Sequence, residues 1–133
     1  EWHSAAIAGD MAAKLYGLEH IAEKIEDSPD NSTRFLIIGN QDVPMAGEDK
    51  TSIVVAMRNQ PGTLHALLEP FHRHQIDLTR LETRPSRTGV WNYVFFIDFK
   101  GHRDEPEVAA VLEEVQLRAA ELRVLGSYPI GVL

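Results

Sequence analysis

The segment that decides the fold is TSIVVAMRNQPGTLHALLEPF, residues 51–71. Its first part, TSIVVAMR, is rich in β-branched residues and predicts a strand. The sequence NQPG ends this strand, and Pro61 is typical of the first turn of a helix that Asn59 or Gln60 would cap. The apolar residues that follow recur at i, i+3, i+4 and i+7, on one helical face: Leu64, Leu67, Leu68 and Phe71. The segment therefore predicts a strand followed by an amphipathic helix.

Two further strands are predicted after this helix. IDLTRLETR reads as a strand that Pro85 ends, and PSRTG reads as a turn. VWNYVFFIDF alternates with period two, so its large side chains share one face of a third strand: Trp91, Tyr93, Phe95, Ile97 and Phe99. Val94 and Phe96 make the opposite face partly apolar, and we expect that this face is covered too.

The last part of the chain adds a helix and a strand. After the break GHRDEP, apolar residues recur at helical spacing: Val108, Val111, Leu112 and Val115. ELRVLGSYPI then closes the chain as a strand. The order strand, helix, strand, strand, helix, strand predicts an α+β fold of the ferredoxin-like βαββαβ type, with two helices on one face of a four-stranded antiparallel sheet.

The residues upstream carry weaker signals. Residues 4–16 favour a helix, because Ile7, Met11 and Leu15 recur at i+4, and Gly17 is a plausible stop. LEHIAEKI is either a second helix or partly extended, and TRFLIIG reads as a buried strand ended by Gly39. The polar, Pro- and Gly-containing stretch that follows predicts a linker at 43–50 between a unit at 1–42 and a domain at 51–133.

Charge and composition exclude several classes of function. The chain has 133 residues, a net charge of −7 and a pI of about 5.3, which argues against nucleic acid as the main partner. The acidity is concentrated upstream: residues 1–50 carry ten acids and four bases, residues 51–133 ten acids and nine bases. With no cysteine, disulfides, thiolate metal sites and cysteine nucleophiles are excluded.

Targeting signals are absent from the sequence. No apolar run approaches the roughly 20 residues of a membrane span, and the start of the chain has no basic region followed by an apolar one. We therefore expect a cytoplasmic protein with no membrane partner. Because the chain begins at Glu1 rather than Met, we also expect a processed or truncated product.

Two short stretches together describe an amino-acid site. Residues 59–64 lie where the first strand meets the first helix, and unpaired N–H groups at a helix N-terminus favour a carboxylate. Gly62 would let a ligand approach the backbone closely. Asp77, at the start of the second strand, could receive an ammonium group. Alone, each stretch reads as an ordinary turn or cap, so the site requires the fold or a dimer to bring them together.

The stretch LTRLETRPSRTG, which begins at Leu78, holds Arg80, Arg84 and Arg87. In a strand, Arg80, Glu82 and Arg84 share one face, so the glutamate is the expected partner of both arginines. A phosphate site would need a Gly-rich backbone or a larger basic excess. We therefore interpret the stretch as an ion-pair ladder. The six histidines show no metal-binding spacing such as HExxH, so no metal site is expected.

Three motifs in this order resemble the end of a prephenate dehydratase, and the resemblance covers essentially the whole chain. The Thr-Arg-Phe motif is Thr33, Arg34 and Phe35. The Gly-Ala-Leu motif is Gly62, Thr63 and Leu64, with Thr in place of Ala. The Glu-Ser-Arg-Pro motif is Glu82, Thr83, Arg84 and Pro85, with Thr in place of Ser. The resemblance implies a helix–strand remnant of an α/β catalytic domain over 1–42 and a regulatory ACT domain from about residue 50.

The resemblance implies both a reaction and its regulation. Prephenate would lose water and carbon dioxide to give phenylpyruvate, the precursor of L-phenylalanine. Thr33 would assist departure of the ring hydroxyl, and Arg34 and Phe35 would shape the site. Aromatisation drives this reaction, so no cofactor is expected. Since most of the catalytic domain is missing, we expect the chain alone to be inactive.

The ACT domains of this family pair edge to edge, and phenylalanine binds at the interface as an allosteric ligand. One subunit would supply the first-helix N-terminus, and its partner the start of the second strand. The implied binding residues are Asn59, Gly62, Thr63, Leu64, Asp77, Leu78 and Thr79, supported by Glu82, Thr83, Arg84 and Pro85. The implied assembly is a homodimer or a higher homo-oligomer.

Two other functions remain open from the sequence. The chain could be the phenylalanine-sensing regulatory domain of an aromatic amino-acid hydroxylase, which has a similar strand, or a stand-alone ACT module. TRFLIIG upstream favours the dehydratase, and an apolar N-terminal flank argues against a flexible tail on an isolated module. Whether a chorismate mutase domain accompanies the dehydratase, and whether tyrosine or tryptophan replaces phenylalanine, is not determined by these residues.

Overall fold

A computed structural model describes residues 4–28, 33–85 and 92–131. The chain divides into two compact units, Glu1–Ile38 and Gly39–Leu133. Within the described residues, no helix combines the length and apolarity needed to cross a membrane.

The second unit is a four-stranded sheet with two helices. Its elements are β1 (Asp49–Arg58), α2 (Thr63–Arg73), β2 (Leu78–Pro85), β3 (Asn92–Lys100), α3 (Pro106–Arg118) and β4 (Glu121–Pro129). The strand order is β2-β3-β1-β4, and every neighbouring pair is antiparallel. The predicted ferredoxin-like βαββαβ fold is therefore confirmed. β2 and β4 form the two edges of the sheet.

The core lies between the helices and one face of the sheet. Its buried apolar residues come from β1, β3 and both helices: Ile53, Val55, Met57, Leu67, Phe71, Phe95, Ile97, Phe99, Val108, Val111 and Val115. The rings of Phe71 and Phe99 join α2 to β3, with centroids 5.2 Å apart. On the opposite face of β3, Val94 and Phe96 are half-buried. The periodicities of the sequence thus correctly identified the core faces of β3, α2 and α3.

The start of α2 differs from its prediction. The N-cap residue is Gly62, in the left-handed region at φ 83°, so Asn59 and Gln60 lie too far upstream to cap the helix and Pro61 lies before its first turn. The turn is closed by the Thr63 hydroxyl, which donates to the Arg58 carbonyl oxygen at 2.9 Å and accepts from the Gln60 N–H at 3.3 Å.

Over its described residues, 4–28 and 33–38, the first unit has one short helix, α1 (Asp10–Tyr16). Gly17 ends it in a left-handed conformation, as predicted. The predicted helix over 4–16 is too long, because residues 4–9 are not helical. Ile7, Met11 and Leu15 are exposed, so no packing stabilises an isolated helix of that length. LEHIAEKI forms neither a helix nor a strand.

The predicted strand TRFLIIG is wrong for this structure. Residues 33–39 have no regular secondary structure, and the apolar side chains of Phe35 and Ile37 are exposed. A strand needs a neighbour to pair its backbone groups. The only sheet in the described part of the chain has the order β2-β3-β1-β4 and does not include this segment.

The polar stretch before β1 is held against the sheet domain. The imidazole Nε2 of His102, a residue that is 2% exposed, lies 2.9 Å from the carbonyl oxygen of Val43. The Asp49 carboxylate accepts the N–H groups of Ala46 and Gly47 at 2.8 and 3.1 Å. We call residues 42–48 the connector. The linker predicted at 43–50 overlaps the connector but ends two residues inside β1, and its role between two domains stays a prediction.

Candidate functional site

A cleft of about 350 Å³ lies at the loop that connects β1 to α2. We call it the α2 cleft. It is lined by Asn59, Gln60, Gly62, Thr63, Leu64, His65, Thr83, Tyr93 and Phe95. The loop between β1 and α2 supplies three of these residues, the first turn of α2 supplies three, and β2 and β3 together supply three. Its size suits a small organic molecule rather than a macromolecule.

One end of the α2 cleft favours an anion. The first turn of a helix leaves backbone N–H groups without acceptors inside the helix, and the helix dipole places partial positive charge there. In α2 this turn begins at Thr63 and includes Leu64 and His65. The left-handed Gly62 presents no side chain before this turn. A carboxylate placed there would be hydrogen-bonded by the backbone.

The other part of the α2 cleft is apolar. Phe95 is buried, and Tyr93 lies 6.2 Å from it between ring centroids. Leu64, on the predicted apolar face of α2, lines the cleft and is 43% exposed. An aromatic ring would bury apolar surface against these three side chains.

Five of the residues that the sequence predicts for the ligand site, or for its support, line the α2 cleft together: Asn59, Gly62, Thr63, Leu64 and Thr83. Asp77, Leu78 and Thr79 lie elsewhere. Leu78 pairs with Phe99 at one end of β3, whereas Pro85 pairs with Tyr93 at the other end. At about 3.3 Å per residue, the two ends of β2 are roughly 23 Å apart. A single chain therefore holds the two halves of the predicted site at opposite ends of its sheet.

Three lining residues lie outside the stretches predicted for the ligand: His65, Tyr93 and Phe95, whereas Gln60 falls within the predicted stretch 59–64. The alternation of β3 assigned Tyr93 and Phe95 to the core face, which is correct. It carries no information about where along that face the core ends and a cleft begins. His65 follows Leu64 in the first turn of α2, and its position beside the predicted motif was the available signal.

Asp77 is engaged within its own chain. Its carboxylate lies 2.8 Å from the Lys100 ammonium, and both side chains are more than half exposed. The hydrogen bond from Lys100 to Asp77, together with the negative charge of Asp77, raises the pKa of Lys100. The carboxylate that was predicted to receive a ligand ammonium thus already holds an ammonium group.

The ion-pair ladder on β2 is confirmed. The Glu82 carboxylate lies 2.5 Å from an Arg80 nitrogen and 2.6 Å from an Arg84 nitrogen. Hydrogen bonds from Arg84 and, second, from Arg80 lower the pKa of Glu82. The Arg84 guanidinium also lies 5.7 Å from the ring centroid of Phe96. Arg87 falls outside the described residues. The one carboxylate offsets one of the two guanidinium charges, so these three residues leave a net charge of +1 and do not form a basic patch.

Thr33, Arg34 and Phe35 lie in the first unit, in the segment without regular structure. Phe35 is 85% exposed, so it encloses no site here. The roles implied for these three residues stay predictions. Among the described residues, no group of three acidic or histidine side chains is arranged to hold a metal ion.

Two family models match separate parts of the sequence. The ACT domain model matches residues 51–116, and the prephenate dehydratase model matches residues 1–43. The upstream match favours the dehydratase over a hydroxylase regulatory domain or an isolated ACT module, the two alternatives that the sequence left open.

Relatives resemble the chain along its whole length. A bifunctional chorismate mutase/prephenate dehydratase of Pseudomonas aeruginosa is 68% identical over all 133 residues, which span 36% of that protein. A prephenate dehydratase of Aquifex aeolicus, also bifunctional with chorismate mutase, is 45% identical over 98% of the chain and 36% of its own length. The chain thus spans about a third of the length of these relatives.

Solved structures agree. The superposition on a prephenate dehydratase from Staphylococcus aureus covers 87% of this chain and 44% of the other chain, with a TM-score of 0.73 and 27% sequence identity. The superposition on a prephenate dehydratase from Arthrobacter aurescens, solved in complex with L-Phe, covers 69% of this chain and 30% of the other chain. Its TM-score is 0.64 and its sequence identity is 32%. The chain therefore belongs to the prephenate dehydratase family, with dehydratase sequence over residues 1–43 and an ACT domain over residues 51–116.

Proposed function

We propose that the sheet domain binds L-phenylalanine and regulates, by allosteric feedback, a dehydratase that converts prephenate to phenylpyruvate in L-phenylalanine biosynthesis. The α2 cleft is the observation that carries this proposal. It combines a helix N-terminus, suited to a carboxylate, with an apolar wall suited to a ring. The L-Phe complex of the Arthrobacter aurescens relative supports the same ligand class.

The ligand's ammonium group needs an acceptor, which the partner subunit would supply. β2 is an edge strand, so it can pair with β2 of a second copy. In an antiparallel, two-fold symmetric pair, the start of one β2 lies beside the end of the other. Thr83, near the end of β2, lines the α2 cleft. Such pairing would bring Asp77 of the partner subunit to this cleft and create two identical sites per dimer.

The first unit contributes to the reaction only within the whole protein. Prephenate takes up a proton, loses its ring hydroxyl as water and its ring carboxylate as carbon dioxide, and becomes aromatic without an oxidant or reductant. Thr33 would donate a hydrogen bond to the departing oxygen, and Arg34 and Phe35 would shape the site. We expect the 133-residue chain to leave prephenate unconsumed in an assay for phenylpyruvate. Turnover by the chain alone would contradict this division of roles.

The binding proposal is tested by titrating the chain with L-phenylalanine in a calorimeter, with L-tyrosine and L-tryptophan as comparisons. Sedimentation, with and without ligand, would report the oligomeric state. We expect saturable binding of L-phenylalanine at close to one molecule per chain, together with a dimer. Absence of binding by all three amino acids would overturn the proposal. Tighter binding of tyrosine or tryptophan would keep the module and change its ligand.

A further inference from the structure

The ion pair between Lys100 and Asp77 bears on the affinity of the proposed site. The side chains meet at 2.8 Å, and the Lys100 N–H donates to the Asp77 carbonyl oxygen at 2.9 Å. The backbone bond fixes the two residues side by side. The two exposed side chains can therefore separate while the residues themselves stay adjacent.

The ion pair occupies the group that the ligand would need. Lys100 contacts the Oδ2 oxygen of Asp77, and a ligand ammonium on the same carboxylate would be repelled by the like charge of Lys100. Both cannot make full use of Asp77 at once. We propose that Lys100 competes internally for the ammonium subsite and thereby raises the L-phenylalanine concentration at which the ACT domain responds. This inference rests on the proposed function and on the ammonium role of Asp77 within it.

The exposure of the pair decides the size of the effect. The side chain of Lys100 is 57% exposed and that of Asp77 is 62% exposed, so water screens their attraction. Exposed ion pairs of this kind are weak, and Lys100 can be displaced by a ligand that gains other contacts. Lys100 would therefore tune affinity rather than block the site.

A second acid also stabilises the positive charge of Lys100. After the hydrogen bond and the charge of Asp77, the charge of Glu48 also favours the protonated form of Lys100. The lysine, once displaced, would keep a favourable electrostatic neighbour while its ammonium remains hydrated.

The test compares Lys100→Gln with the unchanged chain by calorimetric titration. L-phenylalanine is one ligand, and 3-phenylpropanoate, which has the ring and carboxylate but no ammonium, is the other. Lys50→Gln is the matched control. Lys50 pairs in register with Lys100 on the adjacent strand and makes no ion pair among the described residues, so its loss changes the charge of the same region without freeing Asp77. Circular dichroism confirms folding of each variant.

We expect Lys100→Gln to bind L-phenylalanine about two- to five-fold more tightly, as the loss of a weak exposed competitor implies. Lys50→Gln should bind like the unchanged chain, and 3-phenylpropanoate should gain nothing from Lys100→Gln. Unchanged or weaker binding of L-phenylalanine by Lys100→Gln overturns the inference, as does an equal gain for both ligands. If the unchanged chain does not bind L-phenylalanine, the proposed function fails, and the inference fails with it.

Discussion

Gly62 is the residue on which the shape of the α2 cleft depends. It adopts φ 83°, and a Cβ added there would meet no atom within 4 Å. The cost of Gly62→Ala is therefore backbone strain alone, about 1–2 kcal/mol of unfolding free energy. Urea denaturation would measure it, with Gly39→Ala as the control, because Gly39 has equal space and no left-handed φ. Equal stability of the two variants would contradict the strained turn.

Glu82 is the shared acceptor of two arginines beside Thr83. We expect Glu82→Ala to weaken L-phenylalanine binding, because Arg80 and Arg84 lose the carboxylate that orders this end of β2. Glu121→Ala is the matched control, since Glu121 accepts from Arg123 on the other edge strand. If the two variants bind L-phenylalanine with equal affinity in the calorimeter, Glu82 does not support the site.

At the scale of elements, α2 and α3 are joined by a cluster of four charged residues: Glu69, Arg73, Glu114 and Arg118. Hydrogen bonds from Arg73 and then Arg118 lower the pKa of Glu69 from 4.5 to about 2. Hydrogen bonds from Arg73 and, second, from His74 lower the pKa of Glu114. The cluster links α3 to α2, the helix whose N-terminus forms one end of the α2 cleft.

These lowered pKa values predict a dependence on pH. A carboxylate with a lower pKa in the folded state stabilises the fold above its unfolded pKa, and the stabilisation is lost as pH falls through the folded pKa. The stability that Glu69 provides should therefore fade between pH 4.5 and about pH 2. Urea unfolding across this range should show a flatter pH dependence for Glu69→Gln. An unchanged slope would contradict the role of the cluster.

The connector gives a second prediction at this scale. His102→Ala removes the imidazole that contacts the Val43 carbonyl and should loosen residues 42–48. Hydrogen exchange at Ala46 and Gly47 should then accelerate relative to the amides of β1, a ratio that corrects for any global loss of stability. His72→Ala, at an exposed position, is the control. Unchanged exchange ratios would mean that His102 does not hold the connector.

The elements also explain how far the sequence could be interpreted. Hydrophobic periodicity identified the strands and helices of the sheet domain because each buries a face inside the same domain. It failed for TRFLIIG, whose apolar composition indicates burial but not the presence of a partner. It also missed the contribution of Tyr93 to the α2 cleft, because periodicity assigns a face and gives no position along it.

At the scale of the whole molecule, the two halves of the predicted amino-acid site are separated by the length of β2. The motif resemblance predicted which residues would share a ligand, and the strand order places them too far apart in one chain. A second copy, paired along β2 as proposed, would reconcile these facts, and each proposed site would then take residues from two subunits.

The most direct test of this shared site mixes two variants that each fail to bind L-phenylalanine. Leu64→Glu places a carboxylate beside the helix N-terminus and should repel the ligand, and Asp77→Lys should repel its ammonium. Each variant alone should not bind L-phenylalanine in a calorimeter. After equal mixing and subunit exchange, half of the dimers would carry one intact site, so binding should return at about one site per four chains. If binding does not return although mixed dimers form, the shared site is contradicted.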